Sequence, residues 1–234
     1  MKIRLGSLLS GAQEAEGTVV IIDVYRAFTT AAVAFQRGAK KIVLVAEVAE
    51  ALDLRAQGVG ALCVGEVAGK RPEGFDFGNS PFELSRADVA GKTLIQSTRA
   101  GTVGVTLAEK ANRIYGGSLA VAEATVKAIL QDGPERVTLV AMGWAGRERT
   151  DEDEQCALYI RNLLEGRQPD REAVRSLVLA GKESQKFGHP AQPHFHAMDR
   201  EIALQIDGVP FAIKIAREDG LWVARPEHVA DYRG

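Results

Sequence analysis

Residues 18–24 read TVVIIDV, an apolar, β-branched run too short for a helix and too uniform for a strand with one wet face. It reads as a strand buried on both faces, the pattern of a parallel sheet covered by helices. The run closes on Asp23, and the period then changes. Residues 29–41, TTAAVAFQRGAKK, have helical spacing, with Thr29 or Thr30 as the capping hydroxyl and Gly38 as the stop.

The same alternation extends outward. Strand-like runs KIVLVA (41–46), ALCVGE (61–66), KTLIQST (92–98), RIYGG (113–117) and RVTLVAMG (136–143) are separated by helical patterns at 48–58, 101–112 and 118–133, the last with Ser118 as its cap. Strands alternating with helices predict an α/β fold, a largely parallel sheet with helices on both faces. After Thr150 no strand intervenes between two helical stretches, 150–166 and 171–181. Residues 182–196, KESQKFGHPAQPHFH, have no period and form a long loop of the kind that often carries function. PFAIKIAREDGLWVARPE (210–227) is then a β-hairpin. The expected organisation is a single domain over 1–234, with C-terminal helices and a hairpin elaborating it over 161–234.

A chain of 234 residues, 46% hydrophobic and 26% charged, is an ordinary globular composition, and disorder is excluded for most of it. Its formal charge of -2 offers no positive field for a polyanion, which argues against nucleic acid as a partner. Two cysteines, Cys63 and Cys156, make no disulfide framework and read as core residues of a reducing compartment. No stretch approaches the ~18 apolar residues of a membrane span. A cytoplasmic protein is expected, with homo-oligomerisation left open.

In an open parallel sheet, ligands bind beyond the carboxyl ends of the strands. Those ends are polar here. The first runs on from Asp23 to Arg26, Thr29 and Thr30; the third opens at Glu66 into the glycine-rich GEVAGKRPEGFDFGNSPFE (65–83), holding Asp76, Asn79 and Ser80; the fourth continues as Ser97, Thr98, Arg99, Gly101 and Thr102. Hydroxyls and backbone N–H groups at helix starts, with Arg26 and Arg99, suit an anionic substrate. The acids Asp23, Glu66 and Asp76, with Glu152 and Asp153 from the acidic start of the 150–166 helix, are the oxygen ligands that Mg2+ prefers. Together they suggest phosphoryl chemistry. Each has a plainer reading: Asp23 as a cap or a partner of Arg26, the acidic run as a complement to its helix dipole, and Ser80-Pro81-Phe82-Glu83 as a capping box. His189, His194 and His196 share the loop but match no zinc spacing.

Read together, IDVYRAFTTAAVAFQRGA (22–39), GEVAGKRPEGFDFGNSPFEL (65–84), QSTRAGTVGV (96–105) and DEDEQCA (151–157) resemble the 2-phosphosulfolactate phosphatases, the ComB family of coenzyme M biosynthesis, over residues 18–160. GFDFGNSP is the specific string. The resemblance implies a fold particular to that family and Mg2+-dependent removal of phosphate from a small anionic 2-hydroxy acid. It implies Asp23, Arg26 and Glu66 as catalytic; Thr29, Thr30, Asn79, Ser80, Ser97, Thr98, Arg99, Gly101 and Thr102 as substrate-binding; and Asp23, Glu66, Asp76, Glu152 and Asp153 as metal ligands. Members typically read DVLRATTT in the first motif and carry an asparagine-glycine-threonine string in the third. This chain has Tyr25, Phe28 and Arg99 there, so a shifted substrate preference is expected. Two alternatives stand beside this reading: a non-catalytic small-anion binding protein, and a haloacid-dehalogenase-like phosphatase, which needs a second aspartate where Tyr25 stands.

Overall fold

The buried run forms β2 (Gly17–Ile22), whose side chains alternate between two cores. Val19 and Ile21 enter one and Val20 and Ile22 the other, all fully buried. The computed structural model describes residues 1–229, so the end of the C-terminal elaboration, 230–234, lies outside the described residues. The chain builds β1 (Lys2–Ser7), α1 (Leu8–Gln13), β2, α2 (Ala27–Gln36), β3 (Lys41–Val45), α3 (Val48–Ala56), β4 (Leu62–Gly65), β5 (Phe77–Gly78) and α4 (Pro81–Ser85). It continues through β6 (Thr93–Ser97), α5 (Gly101–Leu107), β7 (Ala111–Gly117), α6 (Ala122–Asp132), β8 (Arg136–Ala141), α7 (Asp151–Leu164), α8 (Arg171–Ala180), α9 (Ala197–Ala203), β9 (Phe211–Glu218) and β10 (Leu221–His228).

The strands join one 10-stranded sheet in the order β1-β8-β2-β7-β9-β10-β3-β6-β4-β5. The hairpin is therefore not a peripheral addition. It sits at the centre, pairing antiparallel with β7 on one side and β3 on the other. Because β7 to β9, β9 to β10 and β10 to β3 are all antiparallel, the parallel half β1-β8-β2-β7 runs opposite in sense to the parallel half β3-β6-β4-β5. Hydrogen bonds nevertheless join the loop after β2 to the start of α5, which follows β6. The sheet thus coils until the carboxyl ends of both halves meet on one rim, as twist accumulated over many strands allows.

One face is packed by α1, α2, α4 and α5 around Phe28, Phe35, Leu84 and Val105. The opposite face is packed by α6 and α7 around Val126, Ile129, Cys156 and Ile160. Each such burial contributes roughly 1.5–3 kcal/mol before entropy is charged. Both cysteines are buried and free, as expected of core residues. No helix among the described residues is long and apolar enough to cross a membrane.

Local differences from expectation have physical causes. α2 starts at Ala27, two residues before the expected hydroxyls, because the Asp23 carboxylate accepts the Ala27 N–H at 3.0 Å. Ser118 makes no capping bond, and a short 3-10 turn, Leu119–Val121, precedes α6. α5 stops at Leu107, and β1 was not expected at all, its exposed edge position sparing it the apolar run of a central strand. Ser80 does cap α4, its hydroxyl accepting from Glu83 N with Pro81 in the first turn.

Candidate active site

A cleft of about 290 Å³ opens on the shared rim, near the lower end of the ~300–1,000 Å³ usual for ligand pockets and sized for a small molecule. Asp23, Arg26, Glu66, Asn79 and Arg99 line it, with Tyr25, Arg147 and the apolar Leu9, Val103, Trp144 and Phe195. Five of the sequence-expected residues thus converge there.

Asp23 is the hinge of this wall. One carboxylate oxygen accepts from Ala27 N and the other from Gly101 N at 2.9 Å, so the residue ties the start of α2 to the start of α5. Gly101 must be glycine for this approach, since a Cβ there would lie 2.7 Å from the Ala27 side chain and 2.9 Å from the Asp23 carboxylate. Burial pushes the Asp23 carboxyl up to about 6, helped by the charge of Glu66 and opposed by the two backbone N–H groups and Arg26. Glu66 receives Gly69 N and Arg99 N on its two oxygens, at 2.7 and 2.8 Å, and so pins the glycine-rich loop against the loop after β6.

Behind the cleft, α7 delivers two buried acids. Asp153 accepts from Val24 N and Gly143 N at 2.7 and 2.8 Å, fixing the ends of β2 and β8 together. Burial, reinforced by Glu152 and Asp23, holds its carboxyl well above the usual range. Burial likewise pushes Glu152 up to about 8, with Glu183 and Asp23 adding to it. The acidic start of α7 is therefore more than dipole complement.

Arg26 is 3% exposed, and its guanidinium is held by Asp199 at 2.8 Å, the His194 carbonyl at 2.9 Å and the Gly69 carbonyl at 3.1 Å. It also lies over the Phe195 ring, 4.9 Å from the centroid. Asp199, fully buried in α9, accepts Ser80 Oγ and Phe82 N on its other oxygen. Sequence reasoning missed Asp199; an acid on a short helix after the expected loop was the available signal. That loop does reach the cleft, through Phe195 and the His194 carbonyl, while burial and the nearby Arg26 and Lys70 hold the His194 imidazole below its ordinary value.

Other expected residues lie elsewhere. Thr29 donates to the Val24 carbonyl inside α2, and Thr30 is buried in the same helix. Thr98 and Thr102 cap one another, Thr98 N donating to Thr102 Oγ1 and Thr102 N to Thr98 Oγ1. Ser97 donates to the Ala46 carbonyl, and Ser80 serves α4 and Asp199. Asp76 is outside the cleft, accepting from Cys63 N at 2.7 Å and Arg55 at 3.1 Å. Phe28, one of the departures expected to shift substrate preference, belongs to the core, packed where a Cβ on Gly116 would collide with its ring. Tyr25 lines the cleft but shares its hydroxyl with Ser184 at 2.9 Å, and burial raises its phenol.

The donor set fits a hard cation in kind. Asp23 and Glu66 are cleft-lining carboxylates whose oxygens each accept one backbone N–H and keep further lone-pair capacity. Among the described residues no three acids, histidines or cysteines are grouped as a self-sufficient cage. Two cleft-lining carboxylates are the number through which Mg2+ is usually bound, the rest of its shell being water and substrate. Asn79 adds, at the same wall, a buried carboxamide oxygen that finds no partner among the described residues.

Comparison with known proteins gives the family. A family model described as 2-phosphosulpholactate phosphatase matches residues 7–190. The chain is 37% identical over 164 residues to a probable 2-phosphosulfolactate phosphatase of Clostridium acetobutylicum, covering 70% of this chain and 69% of that one. Relatives bearing the same description in Prochlorococcus marinus (strain MIT 9313) and in a Cyanothece species (strain PCC 7425) are each 36% identical, covering 62% and 64% of this chain. The match spans 60% and 63% of those two proteins, so less than two thirds of their length. The chain belongs to the 2-phosphosulpholactate phosphatase family.

Proposed function

We propose that the protein is a Mg2+-dependent phosphatase acting on the phosphate ester of a small anionic 2-hydroxy acid, 2-phosphosulfolactate or a close relative, in the cytoplasm and in coenzyme M biosynthesis. The observation that carries the reading is the convergence, in one small cleft, of two ionisable carboxylates, Asp23 and Glu66, with the cations Arg26 and Arg99 and the unpartnered Asn79 carboxamide. The family membership and the names of the relatives support the substrate class.

In the reaction, a water oxygen bonds to phosphorus, the ester P–O bond breaks, and the C2 oxygen leaves with a proton. Asp23 is the cleft carboxyl placed to exchange that proton with the reacting water. Asp23 and Glu66 would hold Mg2+, which would supply neutralisation of the charge that gathers on the transferring group. Arg26, fixed by Asp199, presents a rigid cationic wall rather than a swinging arm. Glu66 holds the Arg99 backbone in place, and Asn79 offers an acceptor to the reacting water or to the product hydroxyl.

Release of inorganic phosphate from 2-phosphosulfolactate, measured with Mg2+ and again in EDTA, tests the reading. Mg2+-dependent turnover is expected. Tight binding of the ester with no turnover at any Mg2+ concentration would make this a small-anion binding protein instead.

A further inference from the structure

The cleft wall holds three arginines, Arg26, Arg99 and Arg147, and the structure engages them differently. Arg26 is paired with Asp199, both side chains being almost wholly buried. Arg99 points toward the end of β3, its Nη1 lying 3.3 Å from the Ala46 carbonyl and 3.4 Å from the Glu47 carboxylate. Arg147 makes no ion pair or ring contact among the described residues. Its guanidinium thus holds no side-chain partner among the described residues, whereas Arg26 and Arg99 each hold acceptors.

The loop that carries Arg147 is tethered on several sides. Trp144 N donates to the Glu148 carbonyl at 2.8 Å and Arg147 N to the Trp144 carbonyl at 2.9 Å, which closes the turn. Its root is tied to α7 through Gly143 N and Asp153, and its tip to α1 through Leu9 N and the Gly146 carbonyl at 3.1 Å. The Lys186 ammonium lies 3.9 Å from the Trp144 ring centroid and clamps the loop from the 182–196 side. The turn that carries Arg147 is thereby fixed, and the planar fork at the end of its exposed side chain matches two oxygens of an oxyanion.

We propose that Arg147 binds the sulfonate of the substrate and sets the enzyme's preference for a sulfonated over an unsulfonated hydroxy acid. The inference rests on the phosphatase reading above. Asp23 and Arg26 are buried in the cleft wall while Arg147 is exposed at its lip, so an ester with its phosphate at the buried wall would carry its sulfonate, one carbon beyond C2, toward Arg147. A sulfonate stays fully ionised at working pH and offers three acceptor oxygens to the fork.

The experiment compares wild type, Arg147→Gln, Arg147→Lys and Arg99→Gln on 2-phosphosulfolactate and on 2-phospholactate, which lacks only the sulfonate, with calorimetric binding of 3-sulfolactate alongside. Arg147→Gln is expected to lower the ratio of kcat/KM for the two esters at least tenfold, chiefly through KM, and to weaken 3-sulfolactate binding similarly. Arg147→Lys should recover part of the ratio, and Arg99→Gln should change it less than Arg147→Gln does. An unchanged ratio in Arg147→Gln, or a larger change in Arg99→Gln, overturns the assignment. Wild type that hydrolyses neither ester overturns the phosphatase reading instead; the calorimetry then decides on Arg147 alone, and 3-sulfolactate bound equally by wild type and Arg147→Gln, or by neither, overturns it.

Discussion

Arg26 and Asp199 form a buried ion pair at 2.8 Å across 173 positions of sequence, joining the loop before α2 to α9. The second Asp199 oxygen binds Ser80 and Phe82, so one carboxylate holds the cationic wall, the start of α4 and α9 together.

Removing Asp199 leaves a buried guanidinium uncompensated, a loss of ~3–5 kcal/mol. Asp199→Ala should lower the denaturant midpoint accordingly. Arg26→Lys, although charge-conserving, cannot reach three separate acceptors at once and should also destabilise. A stability within ~1 kcal/mol of wild type in both would mean that water enters and screens the pair.

Asp23→Asn should cut kcat by ~100-fold or more, the usual contribution of a positioned acid-base group. The carboxamide also turns an NH2 toward one of the backbone donors, Ala27 N or Gly101 N, so stability must be measured in parallel. Turnover within a few-fold of wild type in a folded Asp23→Asn would remove Asp23 from the chemistry.

Gly101→Ala places a methyl group against Asp23 and Ala27 and pushes α5 off the carboxylate. Phosphate release should fall at least tenfold with secondary structure retained by circular dichroism. Full activity would show that the Asp23 to Gly101 bond does not position the acid.

Stability should fall as pH rises, in an acid-base direction opposite to that of ordinary salt-bridged carboxylates. Asp23 and Glu152 have folded values of about 6 and 8, above their ordinary values of 3.8 and 4.5. The folded state therefore holds more protons than the unfolded one between roughly pH 4 and pH 8, and the stability present below that window is lost as pH rises through it. Denaturant midpoints at pH 5 and pH 8 test this, and Mg2+ should narrow the difference by favouring the ionised acids. A midpoint that rises from pH 5 to pH 8 without Mg2+ would contradict the burial-driven shifts.

Much of the architecture was legible because central strands advertise themselves. β2, β3, β4, β6, β7 and β8 all fall within the expected apolar runs or at their edges, and the hairpin turns at Asp219-Gly220 with positive φ at both residues, as a two-residue turn requires. Its insertion between β7 and β3 was not legible, since that pairing is set by tertiary contacts and not by periodicity. β1 escaped because an exposed edge strand needs no apolar run. At the site, Asp23, Arg26, Glu66, Asn79 and Arg99 were readable from their places after strands. Thr29, Thr98 and Thr102 looked equally suitable, but their hydroxyls answer neighbouring backbone groups, a choice that only the folded geometry reveals.

The central hairpin also orders events during synthesis. β9 and β10 follow every other strand in sequence, yet they alone bridge the two halves of the sheet. A nascent chain that has released β8 from the ribosome has both half-sheets available but carries β7 and β3 as uncovered edges, templates for pairing with a neighbouring chain. Asp199 has not yet emerged at that stage either, so the cationic wall is incomplete until shortly before the halves are joined. The complete cationic wall and the cover on those two edges are thus gained together, once the C-terminal hairpin is in place.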